Sequence, residues 1–377
     1  MFTSKWLRNA LVRLIMFALL SGSPAMAKKP TPDPDPDPDP TPTISYTVVD
    51  LGTLGGNGAT ALGMNSHGDV VGFADTATDG TTAFLYTTES GMIDIESLLP
   101  ANSGWDLYAA SDINDGGQIV GGGSHNGFQS AYRFTPATET SPAVIEDLGN
   151  LGSPWAEATA INNQGAVVGA ADNADGSQRA FFWTEATGML EVTGDYQTTR
   201  AYDINERGEI VGNIRVDGVI HAFRYTPGVG MIDLGYIKLA RGGTSLGWGK
   251  GINNSGQVAG TASAGRSFVH AFRYTDTVGI EDLGVIGGTE KSYGEAINAV
   301  GDVVGSCEPG DRPFIYMDET GTLALWPLIE SPPSYLWDDY LLPYAINDVG
   351  QICGAGAMTV SSDASVSRAV LLTPVVE

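Results

Sequence analysis

The chain has few of the residues that hold metals or contact nucleic acids. Its 377 residues include two cysteines, four histidines and 19 lysines and arginines against 44 aspartates and glutamates, giving a net charge of −25. The scattered histidines give no ligand spacing for zinc, so we predict neither a metal nor a cofactor. Phosphate contacts need clustered cations, so we predict no nucleic-acid partner.

The chain also lacks a long apolar run. Residues 1–27 are typical of a secretory signal, because a basic start precedes the short apolar stretch Leu14–Leu20 and an Ala-Met-Ala cleavage site. That stretch is too short to span a bilayer. We therefore expect an exported monomer without a membrane span, located outside the cell, at its surface or in the periplasm. An N-terminal membrane anchor is the alternative.

Residues 28–43 are rich in proline and aspartate. From Thr31 to Thr43 the two residue types alternate almost strictly. Alternating prolines favour polyproline II, and the aspartates repel one another, so this segment is predicted to be a stiff spacer.

The two cysteines, Cys307 and Cys353, fall in the second strands of adjacent repeats. Their positions differ by about 10 Å along the strand, which argues against a disulfide. Two buried thiols are therefore favoured, and a bridge is the alternative.

A nine-residue motif, Ile/Met-Asn-x-x-Gly-x-(Val/Ile)-(Val/Ala/Cys)-Gly, is present seven times. Its asparagines are 43 to 49 residues apart. A period near 45 residues with glycine turns and short strands is typical of a β-propeller blade. The copies begin at Met64, Ile113, Ile161, Ile204, Ile252, Ile297 and Ile346.

Each repeat is predicted to form four strands. In the fifth repeat these cover residues 247–253, 257–261, 269–275 and 280–285, separated by Gly/Asn turns that suit hairpins. The third strand carries a small-aromatic-x-aromatic pattern in six repeats, and the fourth carries Asp-Leu-Gly or a relative. Two rings per sheet supply most of the predicted core.

The order of these motifs predicts how the ring closes. A fourth-strand motif at residues 46–52 opens the repeat region, whereas the last repeat ends after a third-strand motif at residues 368–373. Pairing the two removes two sheet edges. Residues 44–377 are therefore predicted to be an all-β, seven-bladed propeller with four-stranded blades, whose last blade is completed by an N-terminal strand. A right-handed β-helix is the alternative, although its repeat would be shorter.

The third-strand motif reads His-Ala-Phe at His221–Phe223 and at His270–Phe272. With the Ile-Asn-x-x-Gly repeats, it makes residues 45–374 resemble the HAF-repeat family of predicted extracellular bacterial proteins. This resemblance implies export and a repeat architecture, and it brings no catalytic residues.

Internal repetition separates scaffold from candidate site. A residue that recurs in most repeats serves the blade, which applies to the motif asparagines, the Asp-Leu-Gly acids and the two equivalent histidines, His221 and His270. Gly243–Gly247 matches Gly-x-Ser-x-Gly but lacks the strand-to-helix context of a nucleophile. Asp172–Gly176 is better explained by a turn than by a calcium loop.

Non-repeated rings and cations fall near the loops that cross from one repeat to the next. Trp105, Trp155 and Trp337, with Tyr108, Tyr196 and Tyr340, are aromatic examples that core packing also explains. The cations suggest an anionic ligand, although they could simply neutralise acids such as Glu290 and Glu295. The predicted ligand-binding residues are Arg200, Arg215, Lys238, Arg241, Trp248, Lys250, Arg266, Lys291 and Tyr293.

Three functions remain open from the sequence. The first is a secreted or surface-exposed binding module for an anionic polysaccharide or other extracellular ligand, with rings stacked on sugars and cations paired with carboxylates. The second is a lyase with Tyr293 as base, or a hydrolase with Glu290 and Glu295. The third is a scaffold for another protein.

Overall fold

Four-stranded antiparallel sheets follow one another along the chain. The computed structural model describes residues 44–375, except for 79, 193–196, 236–246, 265–267, 333–335 and 362–363. The predicted signal and spacer, residues 1–43, lie outside the described residues. There are seven such sheets, so the predicted all-β, seven-bladed propeller is confirmed.

The strands are numbered in chain order. In blades 1 to 6 the strand that comes first in the chain lies innermost, whereas in the closing blade, blade 7, the strand that comes first in the chain is the outermost. Blade 1 comprises β2 (Gly55–Met64), β3 (Val70–Thr76), β4 (Thr81–Thr87) and β5 (Gly91–Asp94); blade 2 β6 (Trp105–Ile113), β7 (Ile119–His125), β8 (Phe128–Thr135) and β9 (Val144–Asp147); blade 3 β10 (Gly152–Ile161), β11 (Val167–Asn173), β12 (Gln178–Thr184) and β13 (Gly188–Glu191); blade 4 β14 (Gln197–Ile204), β15 (Ile210–Val216), β16 (Val219–Thr226) and β17 (Gly230–Gly235). Blade 5 comprises β18 (Gly247–Ile252), β19 (Val258–Ser263), β20 (Val269–Thr275) and β21 (Gly279–Asp282); blade 6 β22 (Lys291–Ile297), β23 (Val303–Glu308), β24 (Arg312–Met317) and β25 (Gly321–Ala324); blade 7 β26 (Leu336–Ile346), β27 (Ile352–Ser361), β28 (Ala364–Val375) and β1 (Ser45–Asp50). Short 3-10 helices cover Ile95–Leu98 and Trp326–Leu328.

The first strand closes the ring. β1 pairs antiparallel with β28 over six positions, from Ser45 opposite Val375 to Asp50 opposite Val370. It is the outer strand of blade 7, as the order of the motifs predicts. The β-helix alternative is excluded, because each sheet is a separate antiparallel unit.

The motif asparagines link neighbouring blades at the end of the inner strands. In six of the seven, the side-chain amide donates to the main-chain carbonyl of the next asparagine around the ring, and these asparagines are buried. Six such bonds join Asn65 to Asn114 (3.4 Å), Asn114 to Asn162 (3.0 Å), Asn162 to Asn205 (3.1 Å), Asn205 to Asn253 (3.0 Å), Asn253 to Asn298 (3.0 Å) and Asn347 to Asn65 (3.1 Å). The repeated asparagine therefore builds the ring, as the repetition test predicts.

The same asparagine also shapes its own turn. In blade 5, Oδ1 of Asn253 accepts the main-chain N–H groups of Ser255 and Gln257, both at 3.0 Å. Gly256 in this turn has φ +77°, which favours glycine. One side chain thus satisfies the turn and reaches the next blade.

The last glycine of the motif is required by a close approach of two strands. A Cβ on Gly260 in β19 would lie 1.9 Å from the carbonyl oxygen of Trp248 in β18. The equivalent glycines of the other six blades meet an inner-strand carbonyl at 1.8–2.1 Å. Each contact accompanies a bulge in the inner strand, so a side chain has no room there.

We expect Gly260→Ala to destabilise the protein by about 3 kcal/mol or more, because the backbone of two strands must separate. Gly287→Ala is the matched control, since a Cβ there meets no atom within 4 Å. Urea unfolding of both variants checks this. Equal stabilities for the two variants would refute the close-approach explanation.

The His-Ala-Phe and Asp-Leu-Gly motifs are partners across the third and fourth strands. The residue before the small-aromatic pair contacts the acid of the outer strand in five blades. These pairs are His221–Asp233 (2.8 Å), His270–Asp282 (2.9 Å), Arg179–Glu191 (3.2 Å), Arg368–Asp50 (3.1 Å) and Thr82–Asp94 (3.3 Å). In blade 2, where Ser130 holds the position, His125 of the second strand contacts Asp147 instead, at 2.8 Å.

Buried arginines join some neighbouring blades. Arg224 in the third strand of blade 4 donates to the carbonyl of Gly256 at 2.8 Å and lies 5.5 Å from the ring of Tyr274, both in blade 5. Arg133 and Arg273 make equivalent contacts with blades 3 and 6. These cations serve packing between blades and are withdrawn from solvent.

The predicted and observed strand bounds agree best where the sequence pattern of the strand is most regular. β20 matches the predicted residues 269–275, whereas β21 ends at Asp282 and is shorter than predicted. Trp105 and Trp155 lie on inner strands and not in loops, because those strands begin earlier than their motifs indicate. Trp248 lies on β18, whose start at Gly247 agrees with the predicted strand over residues 247–253.

Both cysteines are unpaired and buried. Burial raises the pKa of the Cys307 thiol. This agrees with the favoured prediction of two thiols that pack as small apolar groups.

Candidate functional site

One face of the propeller carries both the loops that cross between blades and the loops that join second to third strands. We call it the crossing-loop face. Inner strands begin there, so Arg200 and Lys291 lie near it on β14 and β22. Arg215 reaches it from the end of β15, opposite residue 197 of β14. Most of the predicted cations that the structure describes thus share one end of the sheets.

A cavity of about 520 Å³ opens between blades 3 and 4. We call it the arginine cavity, because three arginines and no acidic side chain line it among the residues that the structure describes. Its volume is within the usual range of ligand pockets, about 300–1,000 Å³. The lining residues are Ser177, Gln178, Arg179, Thr199, Arg200, Tyr202, Asn213, Arg215 and Ile220.

Two of its arginines are held by carboxylates behind the lining. Nη2 of Arg200 lies 2.9 Å from Oε2 of Glu157, and Nε of Arg179 lies 3.2 Å from Oε1 of Glu191. Both arginines are largely buried, so their orientation is fixed by these pairs. A planar guanidinium keeps further N–H donors free when one edge is paired.

The third arginine carries the unbalanced charge. Within the described chain, Arg215 donates a hydrogen bond to the carbonyl of Gly218, at 3.1 Å. A carbonyl does not neutralise a guanidinium, so the described lining of the cavity has a net positive charge within a very acidic protein.

Tyr202 lies between the arginine cavity and the centre of the ring. Its ring centroid is 5.7 Å from Cζ of Arg200 and 4.5 Å from Nζ of Lys250. Nζ of Lys250 also lies 3.3 Å from Oε2 of Glu295. The two basic groups are therefore connected through one aromatic side chain.

The centre of the ring is an axial channel. Its cavity near the crossing-loop face measures about 190 Å³, and the cavity beside the asparagine ring about 220 Å³. The residue three places before each motif asparagine lines the first cavity, and this position is not repeated. It holds Leu62, Ser111, Thr159, Tyr202, Lys250, Glu295 and Tyr344.

Two carboxylates bridge blades inside the channel. Asp112 accepts the N–H groups of Ile113 in its own blade and of Ile161 in the next, both at 2.9 Å. Asp203 repeats this contact with Ile204 and Ile252 at 2.7 and 2.8 Å. Burial raises the pKa of Asp112 to about 8 and that of Asp203 to about 6.

These raised values predict how stability depends on pH. The carboxyl of an unfolded aspartate has a pKa of about 3.9, so between there and about 8 the native state holds a proton on Asp112 that the unfolded state lacks. Stability from this group is therefore lost as pH rises through that window.

We expect the wild type to lose about 1–3 kcal/mol relative to Asp112→Asn between pH 5 and pH 8, because the amide does not titrate. Urea unfolding at both pH values measures the difference. Parallel pH profiles for the two proteins would contradict the raised pKa.

Two of the predicted residues, Lys291 and Tyr293, lie in blade 6, apart from the arginine cavity. Nζ of Lys291 lies 2.9 Å from Oε2 of Glu308, and this hydrogen bond raises the pKa of Lys291. Burial and the same carboxylate raise the pKa of Tyr293. A tyrosine that removes a proton needs a lowered pKa, so its surroundings do not favour Tyr293 as a base.

The predicted site residues thus fall into separate groups. Arg200 and Arg215 line the arginine cavity, and Lys250 lines the channel. Trp248 lies on β18, and Lys291 and Tyr293 lie on β22. Lys238, Arg241 and Arg266 lie outside the described residues, as do Tyr196 and the side chain of Trp337.

The acids near these cations differ partly from those predicted. Glu295 does pair with Lys250, whereas Lys291 pairs with Glu308 and not with Glu290. Glu290 is exposed near the start of β22, while Glu295 lies in the channel.

Sequence reasoning missed Arg179 and Tyr202. Arg179 occupies the repeated His-Ala-Phe position, so repetition assigned it to the scaffold, where its pair with Glu191 indeed belongs. The same repetition test could have identified Tyr202, because its position holds six different residue types in seven blades while the neighbouring motif asparagine is constant. That variability is the signal that would have found it.

Within the residues that the structure describes, no group of three or more His, Cys, Asp or Glu side chains is placed to hold a metal ion. Nor does that part of the chain contain a helix long and apolar enough to cross a membrane.

Comparison with known proteins supports the architecture alone. No family model and no curated protein matches the sequence. Among solved structures, puromycin hydrolase is similar with a TM-score of 0.53 and 13% identity, covering 86% of this chain and 55% of that one. Virginiamycin B lyase from Staphylococcus aureus has a TM-score of 0.50 and 13% identity, covering 88% and 99%. The chain spans about half the length of puromycin hydrolase, and at these identities the similarity establishes a shared propeller fold.

Proposed function

We propose that this protein is a secreted or surface-exposed propeller that binds an anionic ligand, of which an acidic polysaccharide is the favoured example. The observation that carries the proposal is the arginine cavity, whose described lining has three arginines and no acid although the chain has a net charge of −25. Electrostatic attraction of an anion needs such a local excess of positive charge.

The lining suits a uronic or sulfated sugar. Guanidinium groups bind carboxylates and sulfates through parallel N–H donors, and Arg200 and Arg179 are held in place for this by their buried partners. Tyr202 offers a ring for stacking on a sugar face. Because Tyr202 also lines the channel beside Lys250, an extended chain of sugars could run from the cavity toward the axis.

Catalysis is the second candidate. Similar structures include proteins named as a hydrolase and a lyase, but their similarity is limited to the fold. The raised pKa of Tyr293 and the ion pairs of Lys250 and Lys291 give less support to a lyase built from those groups. Binding without cleavage is therefore favoured, and a scaffold that binds another protein is the third candidate.

Calorimetric titration of the mature protein with uronic, sulfated and neutral oligosaccharides tests the proposal. We expect acidic oligosaccharides to bind and neutral ones not to bind. Arg215→Gln should weaken binding about tenfold or more, because it removes the cation that no carboxylate of the described chain balances. Products with unsaturated-sugar absorbance would instead establish a lyase.

Arg207→Gln is the matched control. It makes the same charge change in the tight turn of blade 4, at the opposite end of the sheet, where Arg207 contacts Glu209 at 3.0 Å. Binding that falls equally in both variants would reflect net charge alone, and binding unchanged in Arg215→Gln would rule out the arginine cavity.

A further inference from the structure

The inward-facing main-chain amides of the axial channel follow a regular pattern. The residue before each motif asparagine has the same position after the same inner-strand bulge in every blade. In blades 2 and 3 these amides, from Ile113 and Ile161, both donate to Asp112. In blades 4 and 5 the amides of Ile204 and Ile252 both donate to Asp203.

Each bridging aspartate therefore shows that such a pair of main-chain amides binds a carboxylate group. The two oxygens of one carboxylate accept one N–H from each of two neighbouring blades, at 2.7–2.9 Å. The geometry is set by the ring of blades, so it recurs at every junction where the inner strands have the same bulge.

The next pair around the ring has no such carboxylate. Ala296 of blade 6 occupies the position of Asp112 and Asp203, and the amides that would face its side chain are those of Ile297 and Ile346. All three residues line the channel cavity of about 190 Å³. A cavity holds a water for roughly every 10–15 Å³ of such volume, so a small organic anion fits.

The two aspartates bind four of the seven amides, so one more amide, besides those of Ile297 and Ile346, has no bridging carboxylate. It belongs to Met64 in blade 1, where Gly63 precedes it. A Cβ on Gly63 would lie 2.7 Å from the carbonyl oxygen of Ser111, so no side chain can fill this place from within. The junction of blades 6 and 7 continues the alternation of the two junctions that Asp112 and Asp203 bridge. The junction of blades 7 and 1, where Ala345 holds the aspartate position, is the other junction of this type without a carboxylate.

We propose that the axial channel binds the carboxylate of an external ligand between blades 6 and 7, with one oxygen on the amide of Ile297 and the other on the amide of Ile346. This site is separate from the arginine cavity and does not rest on the proposed function. Its ligand class is a small carboxylic acid, or the carboxylate end of a larger molecule that enters from the crossing-loop face.

The charges around the site permit an anion at mildly acidic pH. Asp112, Asp203 and Glu295 face the same cavity, together with Lys250, which pairs with Glu295. Burial raises the pKa of Asp112 to about 8 and of Asp203 to about 6, so near pH 5.5 both are mostly protonated. Acetate, whose pKa resembles that of a glutamate, is mostly ionised there.

Titration of protein labelled with 15N-isoleucine tests the site directly. With acetate near pH 5.5, we expect saturable shifts of the Ile297 and Ile346 amides. The amides of Ile113 and Ile161 are internal controls, since Asp112 already occupies them. A chloride titration at equal ionic strength is the second control. Absence of shifts, or equal shifts of all four amides, would overturn the proposal.

The variant Ala296→Asp provides a second test of the site, because its aspartate should supply the missing carboxylate from the chain itself. We expect acetate no longer to shift Ile297 and Ile346 in this variant, whose own spectrum should resemble the acetate-bound wild type at these two amides. If the variant does not fold, a crystal structure of the wild type soaked in acetate near pH 5.5 gives the same information. Acetate density between blades 6 and 7 supports the site, and acetate only elsewhere refutes it.

Discussion

Removal of residues 44–52 is expected to abolish the stable folded monomer. These residues contain β1, which supplies the whole outer strand of blade 7 through its pairing with β28. Tyr46 and Leu51 are buried in two different hydrophobic clusters, and Arg368 pairs with Asp50 at 3.1 Å. Without them, β28 becomes an exposed edge that can pair with other chains. Size-exclusion chromatography and thermal unfolding measure the outcome.

Adding a synthetic peptide of residues 44–52 should restore a monomer, because the strand contributes through noncovalent pairing. A truncated protein that remains monomeric with an unchanged melting temperature would show that closure contributes little.

A substitution in β1 makes the same test in the intact chain. Tyr46→Ala should cost about 3–5 kcal/mol, as expected for truncating a fully buried ring. Tyr46→Phe is the matched control, because the buried hydroxyl of Tyr46 has no hydrogen-bond partner within the described chain. Its removal should be neutral or stabilising.

Loss of one motif asparagine should lower the stability of the protein almost as much. Asn253→Ala removes two bonds to its own turn, a bond of 2.6 Å to Gln257 and a bond of 3.0 Å to the carbonyl of Asn298. Several buried main-chain groups are then unsatisfied, each at about 1–3 kcal/mol. We expect the free energy of unfolding to fall by about 3–5 kcal/mol in urea.

Two further variants separate the turn from the ring. Ser255→Ala, in the same turn but exposed, should change stability by less than about 0.5 kcal/mol. Asn253→Asp keeps the two accepting bonds but loses both donated ones, and it places an oxygen opposite the Asn298 carbonyl. Its cost should approach that of alanine. An aspartate variant as stable as the wild type would mean that the link between blades is unimportant.

The sequence predicted the architecture well because the constraints on the blade recur. The motif asparagine, the two motif glycines and the paired His-Ala-Phe and Asp-Leu-Gly positions each serve one local contact that is made in nearly every blade. Repetition made these contacts visible as a period, and the displaced fourth-strand motif fixed the pairing of β1 with β28. The sequence of a single blade would not have been enough to predict the repeat period or this pairing.

The candidate site was less predictable because charge alone does not reveal what a side chain contacts. Arg224 and Arg200 are both strand arginines in blade 4, yet one packs against blade 5 and the other lines a cavity. Lys250 was expected near a crossing loop, at the entry to blade 5, but it faces the axial channel from the middle of β18. Such differences depend on the twist of each sheet and on contacts between blades, which a single-chain pattern does not contain.

The position three places before each asparagine illustrates what repetition can still offer. The scaffold around it is constant, whereas its side chain ranges from Leu62 to Lys250 and Tyr344. A ring with uniform backbone and variable side chains presents different chemistry to the axis at no cost to the blade. The pair of Tyr202 and Lys250 within this ring is what connects the channel with the arginine cavity.

A crystal structure of the protein with a bound uronic or sulfated disaccharide is the most direct test of the account. We predict that the acidic group of the sugar lies between blades 3 and 4, within hydrogen-bonding distance of Arg215 and Arg200, with a sugar ring beside Tyr202. A ligand seated on the opposite face, at the tight turns of the blades, would contradict it.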